Sequence, residues 1–208
     1  MRRVCACTLV VGLAWPVTSA ASPSHVVSPN LIVNGSFETP VVAAGGYQLY
    51  SNGQTFPGWT AVYKPGNIAI VSGSFKEGGF SFPAEAGSQW VDLTGTTNLR
   101  GTGVVQTVPT VPDATYQVSF YIGNVYDPGG PYGTSSAVNV YFLTDVSVTP
   151  PIPGFKNVLG RGVRRIVWER FSFTFIAKTS ATKMWFENSD PPTDTLNGLD
   201  NVSVVRVG

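Results

Sequence analysis

Two carboxylates near opposite ends of the chain are of the right type to share one chemical task. Glu38 closes the string Asn34-Gly35-Ser36-Phe37-Glu38, and Asp200 sits in Leu199-Asp200-Asn201-Val202-Ser203-Val204. More than 160 residues separate them, yet they become neighbours if the first and last strands of a two-sheet fold lie side by side. Two facing carboxylates need a cation or a proton between them. In an oxygen-rich site Ca²⁺ is the natural candidate, because it takes about six to eight oxygen ligands.

The second constellation is aromatic. A pyranose offers a face of C–H groups that packs on an indole or phenol ring, while its hydroxyls need amide and carboxylate partners. Period-two alternation selects the residues that could supply both. With Val91 and Leu93 inward, Trp90 and Asp92 point outward; with Val118, Phe120 and Ile122 inward, Tyr121 points outward. With Val138, Val140 and Phe142 inward, Asn139 and Tyr141 point outward, and Met184 and Phe186 likewise turn Trp185 and Glu187 outward. Large aromatics on a solvated face call for an explanation. The candidate sugar-binding set is Trp90, Tyr121, Asn139, Tyr141 and Trp185, unless the loops at 126–136 or 145–163 cover them. Tyr126 and Tyr132 offer a second place, at a loop edge.

Other chemistries are removed by what the chain lacks. Its one histidine, His25, precedes the expected folded part, so a Ser-His-Asp triad, a Cys-His pair and a histidine-ligated zinc are all excluded there. An enzyme would have to work with carboxylates alone, as glycosidases do. Glu77, Glu85, Asp92, Glu169 and Glu187 are available, but nothing marks two of them as a pair, and the expectation is a protein that is not an enzyme.

The elements that must hold these residues read as strands. Gly and Pro interrupt the chain every 8 to 15 residues, and no segment keeps a 3.6-residue apolar period. Runs such as 115–122, 138–142 and 171–175 alternate instead, and further strands are expected near 31–37, 67–73, 89–94, 103–108, 183–187 and 200–206. Eight or nine short strands predict an all-β, two-sheet antiparallel β-sandwich of jelly-roll type.

Ahead of it, Arg2, Arg3, the apolar stretch 4–14 and Thr18-Ser19-Ala20 have the order of a secretory signal peptide, so residues 1–20 are expected to be cleaved and 21–29 to form a flexible leader. The single domain would then span 30–208 in an extracellular, periplasmic or cell-surface protein. Both cysteines, Cys5 and Cys7, fall in the signal, so no disulfide holds the fold. Of the 13 Lys and Arg, removal of Arg2 and Arg3 leaves 11 against 12 Asp and Glu. That balance, without a concentrated basic face, argues against nucleic acid, and no apolar run is long enough for a membrane span.

Five strings occur in order: NLIVNGSFETP, FPGWT, GSQWVDLTG, GTGVVQTVPTVPDATYQVSFYIGN and NGLDNVSVVRV. Together they resemble the galactose-binding-like jelly rolls, most closely the domain-of-unknown-function 642 proteins, with carbohydrate-binding modules of the family-four, family-nine and family-twenty-two type on the same skeleton. The resemblance runs from about Asn30 to Val207. It implies a two-sheet sandwich with a structural Ca²⁺ near the chain ends, for which Glu38 and Asp200 match the ligand positions, and binding of a polysaccharide or cell-wall glycan. The expected function is therefore an exported, non-catalytic glycan binder. The alternatives are a surface or matrix adhesive protein with a protein partner and, third, a carboxylate-only glycosidase.

Overall fold

The computed structural model describes residues 28–143 and 152–207. The expected signal peptide, most of the leader with His25, and part of the loop at 145–163 lie outside the described residues. Within them the chain is all-β, with fourteen strands and no helix. These are β1 (Tyr47–Ser51), β2 (Thr55–Phe56), β3 (Trp59–Val62), β4 (Asn67–Ser72), β5 (Lys76–Glu77), β6 (Phe80–Ser81) and β7 (Gln89–Asp92). The second half supplies β8 (Gly103–Pro109), β9 (Thr115–Asn124), β10 (Ser136–Leu143), β11 (Ile152–Asn157), β12 (Val167–Ile176), β13 (Ala181–Asn188) and β14 (Gly198–Arg206).

Two six-stranded antiparallel sheets face one another. The first runs β1-β4-β7-β14-β9-β12 and the second β11-β10-β13-β8-β3-β2, with β5-β6 as a separate hairpin. Alternation decides what enters the space between them: in β9 every second residue from Tyr116 to Ile122 is buried, and β10 repeats the pattern with Val138 and Val140. Phe120, Ile122, Val138, Val140, Met184 and Phe186 thus meet in one core with Trp59 and Phe37. This is the sandwich expected from the period-two runs.

The expected strand at 31–37 is not one. Asn34 and Phe37 take positive φ angles of 54° and 58°, and the N–H of Phe37 donates to the carbonyl of Asn34, so the stretch turns. Asn34, Gly35 and Phe37 each have a task in shaping that turn or docking it. The Asn34 side chain accepts from the N–H of Thr39 and donates to its carbonyl. Gly35 approaches β14 so closely that a Cβ would stand 2.1 Å from the carbonyl oxygen of Val202, and its own carbonyl accepts from the N–H of Val202. Phe37 is fully buried, packed 5.3 Å from Trp59. The N–H of Leu31 donates to Val204, completing a strap that makes the two chain ends neighbours.

The two outer faces differ. Over the first sheet lies a second apolar layer in which Phe80, Phe82 and Tyr132 pack on Trp90, Ala69 and Val71. Two indole N–H groups pin its backbone: Trp90 donates to the carbonyl of Phe82 and Trp168 to that of Pro83. No comparable buried layer covers the second sheet's outer face among the described residues.

Candidate functional site

Glu38 and Asp200 meet at one loop, residues 85–89. Glu38 Oε1 accepts from the backbone N–H groups of Ser88 and Gln89, each at 2.9 Å. Asp200 is fully buried; its Oδ2 accepts from the N–H of Glu85 at 2.9 Å and of Ala86 at 3.0 Å, and its Oδ1 from Asn201. The neighbouring Asn201 side chain donates to Glu85 Oε2. Burial pushes Asp200 up to about 8 against the pull of those three amide bonds. The donors around both carboxylates are therefore amide hydrogens, which satisfy negative oxygen without a cation. Among the described residues no group of three or more His, Cys, Asp or Glu is placed to hold a metal. Glu38 Oε2 carries no amide, so a cation here would be built on that oxygen, the remaining lone pairs of Asp200 and backbone carbonyls.

The aromatic set divides between opposite faces of the sandwich. Trp90 and Tyr121 belong to the first sheet; Asn139, Tyr141 and Trp185 belong to the second. The five do not share one groove. Trp90 does point away from the main core, as alternation requires, but the second apolar layer leaves it 1% exposed. Trp90 is therefore a buried residue and not the solvent-facing platform expected from alternation. Tyr121 is half-buried opposite Arg170 on β12 and Asp200 on β14, away from the other tyrosine. Tyr132, one of the two loop-edge candidates, is buried in the second layer and donates its hydroxyl to Glu77 at 2.9 Å.

The second sheet brings the remaining three together. Tyr141 on β10 is register partner of Trp185 on β13, and Asn139 is partner of Glu187. The rings of Tyr141 and Trp185 stack at 4.9 Å between centroids and 25° between planes, both half-buried on the face without a second layer. Asn139 Nδ2 donates to Glu187 Oε2 at 3.3 Å. Loss of hydration, followed by the Glu187 carboxylate to which its hydroxyl is bonded, pushes Tyr141 up to about 12. The row continues across the sheet from Trp185 to Val105, Thr60 and Thr55, giving an aromatic end and a hydroxyl-bearing end.

One atom of this face stands out. Trp185 Nε1 is buried and makes no hydrogen bond. It lies over β8 where Gly103 leaves room; a Cβ there would stand 2.7 Å from it. An unpaired buried indole N–H is uncommon in a folded protein. Neither the pairing of Glu187 with Asn139 nor the gap at Gly103 was part of the sequence expectation. Strand register, which the chain does not spell out, is what creates both.

A family model described as "Protein of unknown function (DUF642)" matches residues 30–204. The chain belongs to the DUF642 family. No curated protein matches this DUF642 member in sequence. Among solved structures it is similar to the apo form of a cyclase from Fischerella sp., at 18% identity over 88% of this chain and 96% of that one, with a TM-score of 0.57. It is also similar to the tandem CBM22-1-CBM22-2 domains of Paenibacillus barcinonensis Xyn10C, at 14% identity, 72% and 46% coverage and a TM-score of 0.50. The CBM22-1 xylan-binding domain of the same protein has 14% identity, 80% and 97% coverage and a TM-score of 0.48. At these identities the likeness is one of fold: a β-sandwich that carries carbohydrate-binding modules and also a cyclase.

Proposed function

We propose that this DUF642 member is an exported, non-catalytic carbohydrate-binding protein whose binding surface is the outer face of the second sheet. The observation that carries the reading is the stacked Tyr141–Trp185 pair, beside Asn139 and Glu187, on the face that no second apolar layer covers among the described residues. A sugar ring would lie against the aromatic end. The Asn139–Glu187 pair would meet its hydroxyls. Carbohydrate-binding modules of like fold agree with this choice of ligand class. Trp90 has no part in it, and Tyr121 lies on the other sheet.

Affinity electrophoresis through gels containing soluble polysaccharides tests the proposal. Retardation by at least one glycan is expected, with loss of that retardation in Tyr141→Ala and Trp185→Ala variants that still melt cooperatively. Undiminished retardation in both variants would remove this face from the reading. No retardation by any glycan, on gels or on an array, would favour the adhesive alternative with a protein partner. Release of new reducing ends from a retained glycan would favour the glycosidase.

Calcium belongs to this reading as a separable part, held on Glu38 Oε2, Asp200 and carbonyl oxygens, and the amides already bound to the two carboxylates compete with it. A melting temperature that rises with added Ca²⁺ and falls back with chelator supports the ion; identical melting curves under both conditions remove it.

A further inference from the structure

The outer face of the first sheet holds a cleft of about 300 Å³ under the second apolar layer, on the opposite side of the sandwich from Tyr141 and Trp185. Its walls are aromatic: Tyr47, Phe75, Phe82, Trp90 and Tyr132 all line it. They brace one another, with Tyr47 edge-on to Phe75 at 5.9 Å, Phe75 against Phe82 at 5.6 Å and Phe82 against Tyr132 at 5.4 Å. The volume is at the small end of pockets that take organic ligands, which run from about 300 Å³ upward.

The charged groups in the cleft are of one sign, beside the hydroxyls of Tyr47, Thr96 and Thr195. Asp92, only 8% exposed, lines it from β7. Its Oδ1 accepts from the N–H and the hydroxyl of Thr94 and from the N–H of Asn197, which locks the side chain and leaves Oδ2 without a partner. Glu77 lines the cleft from β5, and its Oε2 accepts from the Tyr132 hydroxyl. No Lys, Arg or His is among the lining residues. Two carboxylates thus stand among aromatic rings with no cation among the lining residues to answer them.

We propose that this cleft is a binding site for a small organic cation, a primary ammonium carried on a ring or short hydrocarbon body. The ammonium hydrogens satisfy Asp92 Oδ2, the oxygen left without a partner among the described residues. The cationic charge is drawn to the aromatic rings that wall the cleft, and the apolar body replaces water against Tyr47 and Phe75. A neutral sugar could use the acceptors but would leave the charge unanswered. An anion is repelled by both carboxylates. The proposal is independent of the glycan-binding face, since the two share no residue.

Benzylammonium, benzyl alcohol and benzoate are suitable probes, because they keep one ring and change only the charge. Binding is read by calorimetry at pH 8, above the value of about 6 to which burial raises Asp92. Benzylammonium is expected to bind roughly tenfold or more tighter than benzyl alcohol, with benzoate weakest. Asp92→Asn keeps the Oδ1 acceptor used by Thr94 and Asn197 and should bring the ammonium-to-alcohol ratio near one. Glu77→Gln should lower it several-fold. Equal affinity for amine and alcohol, no binding of the amine up to about 10 mM, or a ratio that survives both substitutions would overturn the site. Should Asp92→Asn fail to fold, an unchanged ratio in Glu77→Gln overturns it alone.

Discussion

The two end carboxylates allow a stability test that separates amide binding from charge. In Glu38→Ala the N–H groups of Ser88 and Gln89 lose their acceptor. Ser88 is exposed and can bond to water, whereas Gln89 is buried, so the loss should be about 1–2 kcal/mol. Glu38→Gln retains a carbonyl oxygen that can accept from both, and should lose less than about 1 kcal/mol. Asp200 offers no such escape. It is fully buried and accepts three amides, so Asp200→Ala should remove on the order of 3–5 kcal/mol. Asp200→Asn turns an NH₂ toward an amide N–H but sheds a carboxylate that burial disfavours, giving an intermediate loss of roughly 1–3 kcal/mol. Because both side chains hold loop 85–89, the double alanine variant should fall short of the sum of the singles by more than about 0.5 kcal/mol. Urea unfolding in the presence of chelator reads all five variants without any contribution from a divalent ion. The reasoning is refuted if Glu38→Gln is as damaging as Glu38→Ala, or if the alanine effects add without coupling.

Proton linkage gives a second prediction. Asp190, Asp194 and Asp200 are each raised from 3.8 to about 8, and Asp92 to about 6, with burial the leading cause in all four. The folded chain therefore keeps protons that the unfolded chain has released above pH 4. Their contribution is complete below about pH 4 and is lost as pH rises through about 6 and then 8, so urea midpoints should fall between pH 4.5 and pH 8. A rise over that interval would refute the burial of these groups as protonated acids. A third prediction concerns the gap under Trp185. A Cβ on Gly103 would stand 2.0 Å from the carbonyl oxygen of Phe186 and 2.7 Å from Trp185 Nε1, so Gly103→Ala should lose about 1–3 kcal/mol and weaken glycan retardation together with the near-ultraviolet signal of the stacked pair. Unchanged stability would show that β8 and β13 do not approach as closely there.

Much of the sandwich was legible because its long strands alternate between a more covered and a more exposed face. β9, β10, β12, β13 and β14 carry period-two runs, and each was expected within a few residues of where it lies. The short edge elements were not. β2, β5 and β6 have two residues each, too few for any period to show, and β1 has only Tyr50 buried among five residues. The stretch at 31–37 failed in the opposite way. Its apolar residues look strand-like, but Asn34 in the left-handed region and the contact of Gly35 with Val202 make it a docking turn. The expectation that the chain ends are neighbours holds because that turn is the device that joins them.

The candidate site was legible only as far as alternation reaches. A period of two tells which side of its sheet a residue occupies; it does not tell whether another layer lies on that side. Trp90 and Trp185 read alike in sequence, each flanked by inward-facing residues on a strand. Yet one donates its indole N–H to a covering segment and the other keeps its N–H unpaired. The difference lies in the 80–84 segment, which Trp90 and Trp168 hold by their N–H groups and which the bonds of Ser81 with Arg164 and Ile166 fasten further. Such a cover is a long-range property, assembled from segments more than 80 residues apart. It accounts for the asymmetry of the molecule: the covered face has an aromatic cleft with its acids inside, while the other face keeps a stacked aromatic pair near solvent. Two surfaces built this way suit ligands of different kinds, a small cation enclosed on one side and an extended chain laid across the other.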